Sequence, residues 1–351
     1  MNKIIQNTLF YVVVFCVTYF IYIYPVEILN ELLLNEQVNR RSSFYYTIII
    51  SILIIFYFRS YTSLKPLKIF IYEGMGIGFI SFWIVTIAII IDRSLNVNSY
   101  YLGLLSLFFI ILLSLISFYL GSKIFIKNIN IKSNKIKSDV SFAFLSDVHM
   151  GSNSIKHLDK IILQLKNKSY DFLLIGGDLI DSSSFDLSSL KTIKENITCP
   201  IYFVTGNHEY YLKNSNTKIK EINNYGLNHI CNNNIEINNI NLIGIDDNLI
   251  KSKQIEIIKD KYLKDKFNLI LIHKPSIWDQ VYNECDLMLS GHTHNGQIFP
   301  FNYFVRMQFK FKYGLYDYNN SKLYVSSGSG TWGPKMRLGT VNEIIFFHLS
   351  N

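Results

Sequence analysis

Apolar residues follow two patterns along this 351-residue chain, and the change comes near residue 122. Before it they form four long runs, at about 7–24, 43–58, 69–91 and 101–120. A membrane-crossing helix needs about 20 apolar residues, with a working range of about 17–25. The third and fourth runs meet that length, the first is adequate and the second is short. Lys3 precedes the first run as it would in a secretory leader. That run is long, rich in Tyr, Phe and Ile, and has no small-residue cleavage site, so a retained helix is expected. Residues 1–122 therefore read as an α-helical transmembrane anchor of four spans. Between the first two spans, Val26, Leu29 and Leu33 recur at helical spacing among acidic residues, which suits a helix over Pro25–Arg41 lying in the interface. Gly74, Gly76 and Gly78 suit close helix packing, and Glu73, near Lys68, suits a position at the headgroup level.

Beyond residue 139 the apolar runs are short. Val140–Leu145 reads as a strand, and Ile155, Leu158, Ile161, Ile162 and Leu165 as one face of a helix. A strand at Phe172–Ile175, a helix around Leu187–Asn196 and a strand at Ile201–Val204 follow. Later strand-like runs are Ile240–Ile245, Asn268–Ile272, Leu287–Leu289, Leu323–Val325 and Ile344–His348. Alternation early and closely spaced strands late predict a layered α/β domain on mixed sheets over residues 139–351.

Charge sharpens the division. Residues 1–122 hold 12 of the 60 charged side chains, and residues 123–351 hold the other 48. That excludes a wholly soluble, disordered or collagen-like chain. The net charge of +8 includes five lysines packed into 123–137, so residues 123–138 read as a basic juxtamembrane linker near an anionic leaflet. They are not interleaved in a nucleic-acid-binding motif, and no nucleic-acid partner is expected. With four spans, Lys3, Arg59, Lys65, Lys68 and those five lysines share one side, against Arg40, Arg41 and Arg93 on the other. Nine against three predicts both termini, and the α/β domain, on the cytoplasmic side of the inner membrane. Cys16, Cys199, Cys231 and Cys285 are scattered and contain no C-x-x-C pair, which suits reduced, structural thiols in a cytosol-facing domain.

The candidate chemistry lies just past the strand ends. The motifs in order are Asp147-Val148-His149, Gly177-Asp178-Leu179-Ile180-Asp181, Gly206-Asn207-His208-Glu209, Ile272-His273, and Gly291-His292-Thr293-His294-Asn295-Gly296-Gln297. Five of the eight histidines fall in them. In open α/β sheets, ligands collect outside the carboxyl ends of strands. A shell of Asp, Asn and His without Cys suits Mn²⁺, Fe or Zn²⁺. Each motif alone is as well explained by a turn; five in order are not.

This order resembles the calcineurin-like metallophosphoesterases: D-x-H, G-D-x-x-D, G-N-H-[DE], a lone H and G-H-x-H, over about residues 140–348. The resemblance implies a four-layer αββα sandwich holding two divalent metals, with Mn²⁺ preferred. By that pattern Asp147, His149 and His294 bind one ion, Asn207, His273 and His292 the other, and Asp178 bridges them. His208 is then the catalytic group that steadies the transition state or protonates the leaving oxygen. Asp181 and Glu209 orient ligands or loops. Asn295 departs from the membrane-associated branch, where Gly is more usual. His157, His229 and His348 lie outside the motifs and read as ordinary. Arg337 can contact a substrate phosphate or serve the fold; the sequence leaves both open.

Metal ligands do not encode the leaving group. An anchor at the membrane, and an aromatic, basic segment from Phe299 to Tyr318, favour a lipid-linked phosphate or pyrophosphate substrate. That segment either holds acyl chains and a phosphate or folds as a packed β-hairpin. The organisation resembles that of bacterial UDP-2,3-diacylglucosamine pyrophosphatases of lipid A biosynthesis, which implies release of UMP and 2,3-diacylglucosamine 1-phosphate. A broader phosphodiesterase of phospholipid headgroups or nucleotides, a nuclease, and a non-enzymatic membrane scaffold are the alternatives.

Overall fold

The computed structural model describes residues 3–36, 39–60, 64–95 and 97–351. They divide into two compact units, Met1–Tyr119 and Leu120–Asn351.

Among the described residues, four helical stretches are long and apolar enough to cross a membrane: Ile5–Leu34, Arg40–Arg59, Lys65–Ser94 and Ser99–Ser122, the last of which ends in the second unit. Two differ from expectation. The second, expected to be short, is a helix over Arg40–Ser60, because its polar ends continue the helical hydrogen bonding. The separate interfacial helix expected at Pro25–Arg41 is instead a continuation of the first, after one π-helical turn at Tyr19–Ile23, into Tyr24–Leu34. Pro25 stands in the first turn of that continuation, where its missing N–H costs least. Gly78 is where small residues matter: a Cβ there would lie 2.1 Å from the carbonyl oxygen of Ile21. The backbones therefore meet as closely as the glycine spacing suggests.

The second unit holds twelve described strands: β1 (Ile124–Lys132), β2 (Val140–Leu145), β3 (Phe172–Gly176), β4 (Ile201–Val204), β5 (Asn228–His229), β6 (Asn233–Ile237), β7 (Ile240–Ile245), β8 (Phe267–Ile272), β9 (Leu287–Ser290), β10 (Gly314–Tyr318), β11 (Ser321–Val325) and β12 (Asn342–Ser350). One sheet runs β1-β12-β2-β3-β4-β5 and the other β10-β11-β9-β8-β7-β6. Phe142, Phe144, Phe172 and Leu174 of the first sheet share a core with Leu242, Leu269, Leu287 and Tyr324 of the second. Phe142 stacks on Phe172 at 5.1 Å and on Phe347 at 5.0 Å. Burying each such side chain contributes roughly 1.5–3 kcal/mol. The helix Ile155–Lys166 covers the outer face of the first sheet through Leu158, Ile161, Ile162 and Leu165. Ile258 of the helix Lys251–Lys261, with Trp278 and Val281, covers the outer face of the second. The layers are therefore α, β, β, α.

Two segments correct the sequence reading. Residues 123–138 are not a free linker: β1 pairs in parallel with β12 along Ile124–Lys132, burying Ile129 and Ile131, while the Lys127 ammonium lies over the Tyr324 ring at 4.9 Å and Lys132 is exposed. Residues 299–318 are not one hairpin: a helix, Phe301–Gln308, precedes β10, which alone pairs with β11.

Candidate metal centre

Strands β2, β3 and β4 run parallel in one sheet, and β7, β8 and β9 run parallel in the other. Their carboxyl ends deliver all five motifs to one place. The backbone there is unusual. Asp147, His149, Asp178, His292 and His294 have φ of 52°, 51°, 52°, 72° and 48°. For a residue with a Cβ this left-handed region costs roughly 1–2 kcal/mol. Backbone bonds hold it: Asp147 N–H to the Gly177 carbonyl (3.0 Å), His149 N–H to the Asp178 carbonyl (2.9 Å), and Gly330 N–H to the Asp147 carbonyl (3.0 Å). Asn295 is also left-handed, at φ 50°, which is why Gly suits this position and why Asn, tolerant of that region, can replace it.

Among the described residues four groups of donor atoms form, each with its atoms within 4.8 Å of one another: Asp147, His149 and His294; Asp178, His273 and His292; His149, Asp181 and His208; and, outside the motifs, His229, Cys231 and Asp246. The first two groups are adjacent, since His149 Nε2 also lies 3.8 Å from Asp178 Oδ2. Within them, His149 Nε2 is 3.0 Å from His294 Nε2, and His292 Nδ1 is 3.2 Å from His273 Nε2. Asp178 Oδ2 is 3.1 Å from His273 Nε2 and 3.9 Å from His208 Nε2. The buried Oδ1 of Asn207 has no hydrogen-bond partner. A buried amide oxygen left without a donor, beside clustered imidazoles and carboxylates, fits divalent cations.

Surrounding groups hold this arrangement. Glu209, fully buried, accepts from the backbone N–H groups of Asp178 (3.0 Å), Ile180 (2.9 Å) and Gly206 (2.8 Å), tying two motif loops together. Asp181 Oδ2 lies 3.4 Å from His149 Nδ1, and Asp181 also accepts from the Ser152 N–H (2.8 Å) and hydroxyl. His273 Nδ1 pairs with the Gly176 carbonyl at 2.9 Å, which leaves Nε2 facing the cluster. Gly206 and Gly291 are required by closeness: a Cβ would come within 2.2 Å of Asp178 Oδ1 or 2.1 Å of Asp147 Oδ2.

Electrostatics follow from burying carboxylates and imidazoles together. Burial pushes His292 down to about 3, and His294 well below its ordinary value. Burial opposes charge on His273 too, but Asp178, Asp147 and Asp247 outweigh it and raise the ring to about 10. Burial would raise Asp178, yet His273, His149 and His208 hold it well below the usual carboxylate range. Neutral rings at 292 and 294 beside an ionised Asp178 are the forms in which these groups bind a cation.

His208 sits at the edge of the cluster, its N–H donating to Asp178 Oδ1 at 2.8 Å and its ring edge-on to His149 at 4.7 Å. Burial pushes its ring down to about 4, so it is neutral at pH 7. The rings of Tyr211 and Trp332, neither of which the motifs point to, stand 5.3 and 5.6 Å from it. A cavity of about 450 Å³ adjoins His292 and is lined in part by Lys251, Lys274 and Lys310.

Arg337 corrects the possibility of a phosphate contact. It is 0% exposed, and its guanidinium donates to the carbonyls of His294 (2.8 Å), Ser327 (2.6 Å) and Gly330 (2.6 Å) and to Asn342 Oδ1 (2.9 Å) and Thr340 Oγ1 (3.2 Å). Its fork is spent on the fold. Asn153, which the motifs do not single out, bonds the carbonyls of Val148 (2.9 Å) and Thr331 (2.8 Å) and so ties the first motif to the 326–331 loop. His157, His229 and His348 serve local structure, bonding the Ser329 carbonyl, Asp246 and Ser141.

Comparison with known proteins agrees with this geometry. Residues 140–296 match the family model described as calcineurin-like phosphoesterase. The chain is 34% identical over 246 residues to an uncharacterized metallophosphoesterase of Campylobacter jejuni, covering 64% of this chain and 63% of that protein. It is 32% identical over 235 residues to an uncharacterized metallophosphoesterase of Helicobacter pylori, with the same coverage. A protein of Bos taurus named as a transmembrane protein with metallophosphoesterase domain is 29% identical over 231 residues, covering 59% of this chain and 52% of that one. The match spans a little under two thirds of the two bacterial relatives. These likenesses support a domain of the calcineurin-like metallophosphoesterase superfamily, and that family implies divalent metal ions.

Proposed function

We propose that this chain is a dimetal phosphoesterase at the cytoplasmic surface of the inner membrane. Its substrate is lipid-linked, and the pyrophosphate of UDP-2,3-diacylglucosamine is the bond we assign to it. The observation that carries the hydrolase reading is the convergence of Asp147, His149, Asp178, His273, His292 and His294 from four strand ends, with the unpaired Asn207 Oδ1 just past the end of a fifth. Those side chains would hold two divalent ions, Mn²⁺ by our assignment, which when bound would supply positive charge against the phosphoryl oxygens and lower the pKa of water.

The chain's own groups do the rest. Asp178 lies between the two donor groups and receives the His208 N–H, so one carboxylate sets both ligand spacing and the place of the His208 ring. His208, neutral and facing the rims of Tyr211 and Trp332, offers a ring N–H to the oxygen that gains charge as the bond to phosphorus breaks. Glu209 and Asp181 keep the loops and the His149 ring from turning. The cavity beside His292 is walled by Lys251 and by Lys274 and Lys310, which pair with Asp247 and Asp279, and suits a second phosphate held chiefly by Lys251. The lysine-rich flanks of the spans favour a cytoplasmic domain, and the four apolar helices favour a substrate resident in the membrane.

The test is incubation of the detergent-purified full chain and Mn²⁺ with UDP-2,3-diacylglucosamine and with a deacylated UDP-sugar. UMP release from the acylated substrate in preference to the other is the expected result. Turnover of neither, by protein that still hydrolyses a simple phosphodiester, rejects the lipid A substrate and leaves a broader phosphodiesterase.

A further inference from the structure

The helix Phe301–Gln308 buries only Val305. Phe301 (49% exposed), Phe304 (48%) and Met307 (86%) recur every third residue, so they share one stripe of its surface. Phe299, just ahead of the helix, is also exposed; Arg306 stands beside the stripe in solvent, and Lys310, though 70% exposed, pairs with Asp279 at 3.1 Å. A large apolar stripe with basic neighbours is the composition of a surface that meets anionic lipid.

Its neighbours identify the occupant. Phe299 N–H donates to the Leu338 carbonyl at 2.9 Å, and a Cβ on Gly339 would lie 3.5 Å from the Phe299 Cβ. The same 338–342 segment receives Leu120 and Gly121, the last turn of the apolar helix Ser99–Ser122. Leu120 shares a cavity wall with Gly339, Thr340 and Val341, and Asn342 Nδ2 donates to the Gly121 carbonyl at 2.8 Å. On its other side the stripe leads into the metal centre, where the Phe309 ring meets His292 at 5.3 Å and Thr293 bonds the Lys312 carbonyl. The 338–342 segment that meets Leu120 and Gly121 therefore also meets Phe299, and Phe309, just past the stripe, meets the motif loop at His292.

We propose that Phe299, Phe301, Phe304 and Met307 form a lip that inserts into the lipid surface at the boundary between headgroups and acyl chains. Arg306 meets the anionic headgroups above it. The metal centre then opens at headgroup depth, and a substrate reaches it laterally, without leaving the bilayer. This rests on residues 99–122 being a membrane span and is independent of which phosphate bond is cleaved.

The test uses the full chain in vesicles of phosphatidylethanolamine and phosphatidylglycerol, with Cys16→Ser, Cys199→Ser and Cys231→Ser as background. An environment-sensitive fluorophore is attached at Met307→Cys or, as the control, at Leu163→Cys on the exposed side of the helix Ile155–Lys166. Blue-shifted emission at 307, quenched by shallow nitroxide lipids at least about threefold more than at 163, is expected for an interfacial residue. Equal quenching at the two sites overturns the proposal, whatever the enzyme hydrolyses. As a second arm, Phe301→Ser, Phe304→Ser and Met307→Ser together are expected to lower kcat/KM about tenfold or more for a phosphodiester lipid in the vesicle, with turnover of a water-soluble phosphodiester unchanged. An equal effect on both substrates also overturns it.

Discussion

The carboxylate of Glu209 accepts the backbone N–H of Asp178 at 3.0 Å, so a residue that faces away from the donor cluster fixes the position of the one at its centre. The same carboxylate accepts from Gly206 through the same oxygen and from Ile180 through the other. In Glu209→Gln one of these oxygens becomes an NH₂ facing an N–H, and a buried donor loses its acceptor. The expected cost is about 1–3 kcal/mol of stability. Metal affinity is expected to fall about 10–100-fold, because the loops that carry Asp178 and Asn207 lose their common anchor. Thermal unfolding and Mn²⁺ titration of the purified variant check the two effects separately.

Arg337 separates a structural role from a substrate contact. A lysine at this position cannot span the three carbonyls of His294, Ser327 and Gly330. Arg337→Lys is therefore expected to destabilise the unit by about 3 kcal/mol or more, at about 1–3 kcal/mol per buried group left unpaired. That lowers Tm by roughly 6–12 °C, with KM of the folded enzyme changed less than about twofold. A large rise in KM at unchanged Tm would restore the phosphate contact.

These two residues also mark what the chain discloses before it folds. Asp147, Asp178, Asn207, His273 and His294 are legible because each follows an apolar run too short for a helix, and strand ends are where sheets gather ligands. The inner strands are legible for the same reason: β2, β7 and β8 are nearly unbroken apolar segments buried on both faces. Edge strands are not. β5 has two residues, β6 begins Asn233-Asn234, and in β1 the isoleucines of one face alternate with lysine and asparagine, so a strand reads as a basic linker. Arg337 looks the same in sequence whether it meets a phosphate or five protein acceptors; only its burial decides. The helix at Phe301–Gln308 stayed hidden because aromatic residues that imply a packed hairpin are in fact exposed.

Metal removal is expected to act on stability as well as activity. Asp147 and Asp178 are buried close together, and divalent cations relieve their mutual repulsion. At Mn²⁺ concentrations about 100-fold above Kd the folded state gains about 2.7 kcal/mol, or a Tm rise of roughly 5–10 °C that EDTA reverses. Asp178→Asn is expected to lose most of that rise and to lower kcat on a simple phosphodiester by about a thousandfold or more. A variant that keeps both the Mn²⁺-dependent rise and the activity would remove Asp178 from the metal-binding set.

His157 supplies a pH dependence that lies outside the five motifs. Its Nε2 donates to the Ser329 carbonyl at 2.7 Å, and burial holds its pKa below the ordinary 6.5, with Lys160, Arg337 and Lys335 acting in the same direction against that hydrogen bond. The sign follows from proton counting. Below pH 6.5 the unfolded chain binds a proton at this position that the folded chain refuses, so stability present above 6.5 is lost as the pH falls toward the folded value. His157→Gln retains an N–H for the Ser329 carbonyl and cannot take up a proton. Relative to the unsubstituted chain, the variant is expected to show a shallower fall in Tm between about pH 6.5 and 5, measured in EDTA so that cation binding does not contribute. Parallel Tm profiles for the two proteins across that window would show that His157 is not the group that titrates.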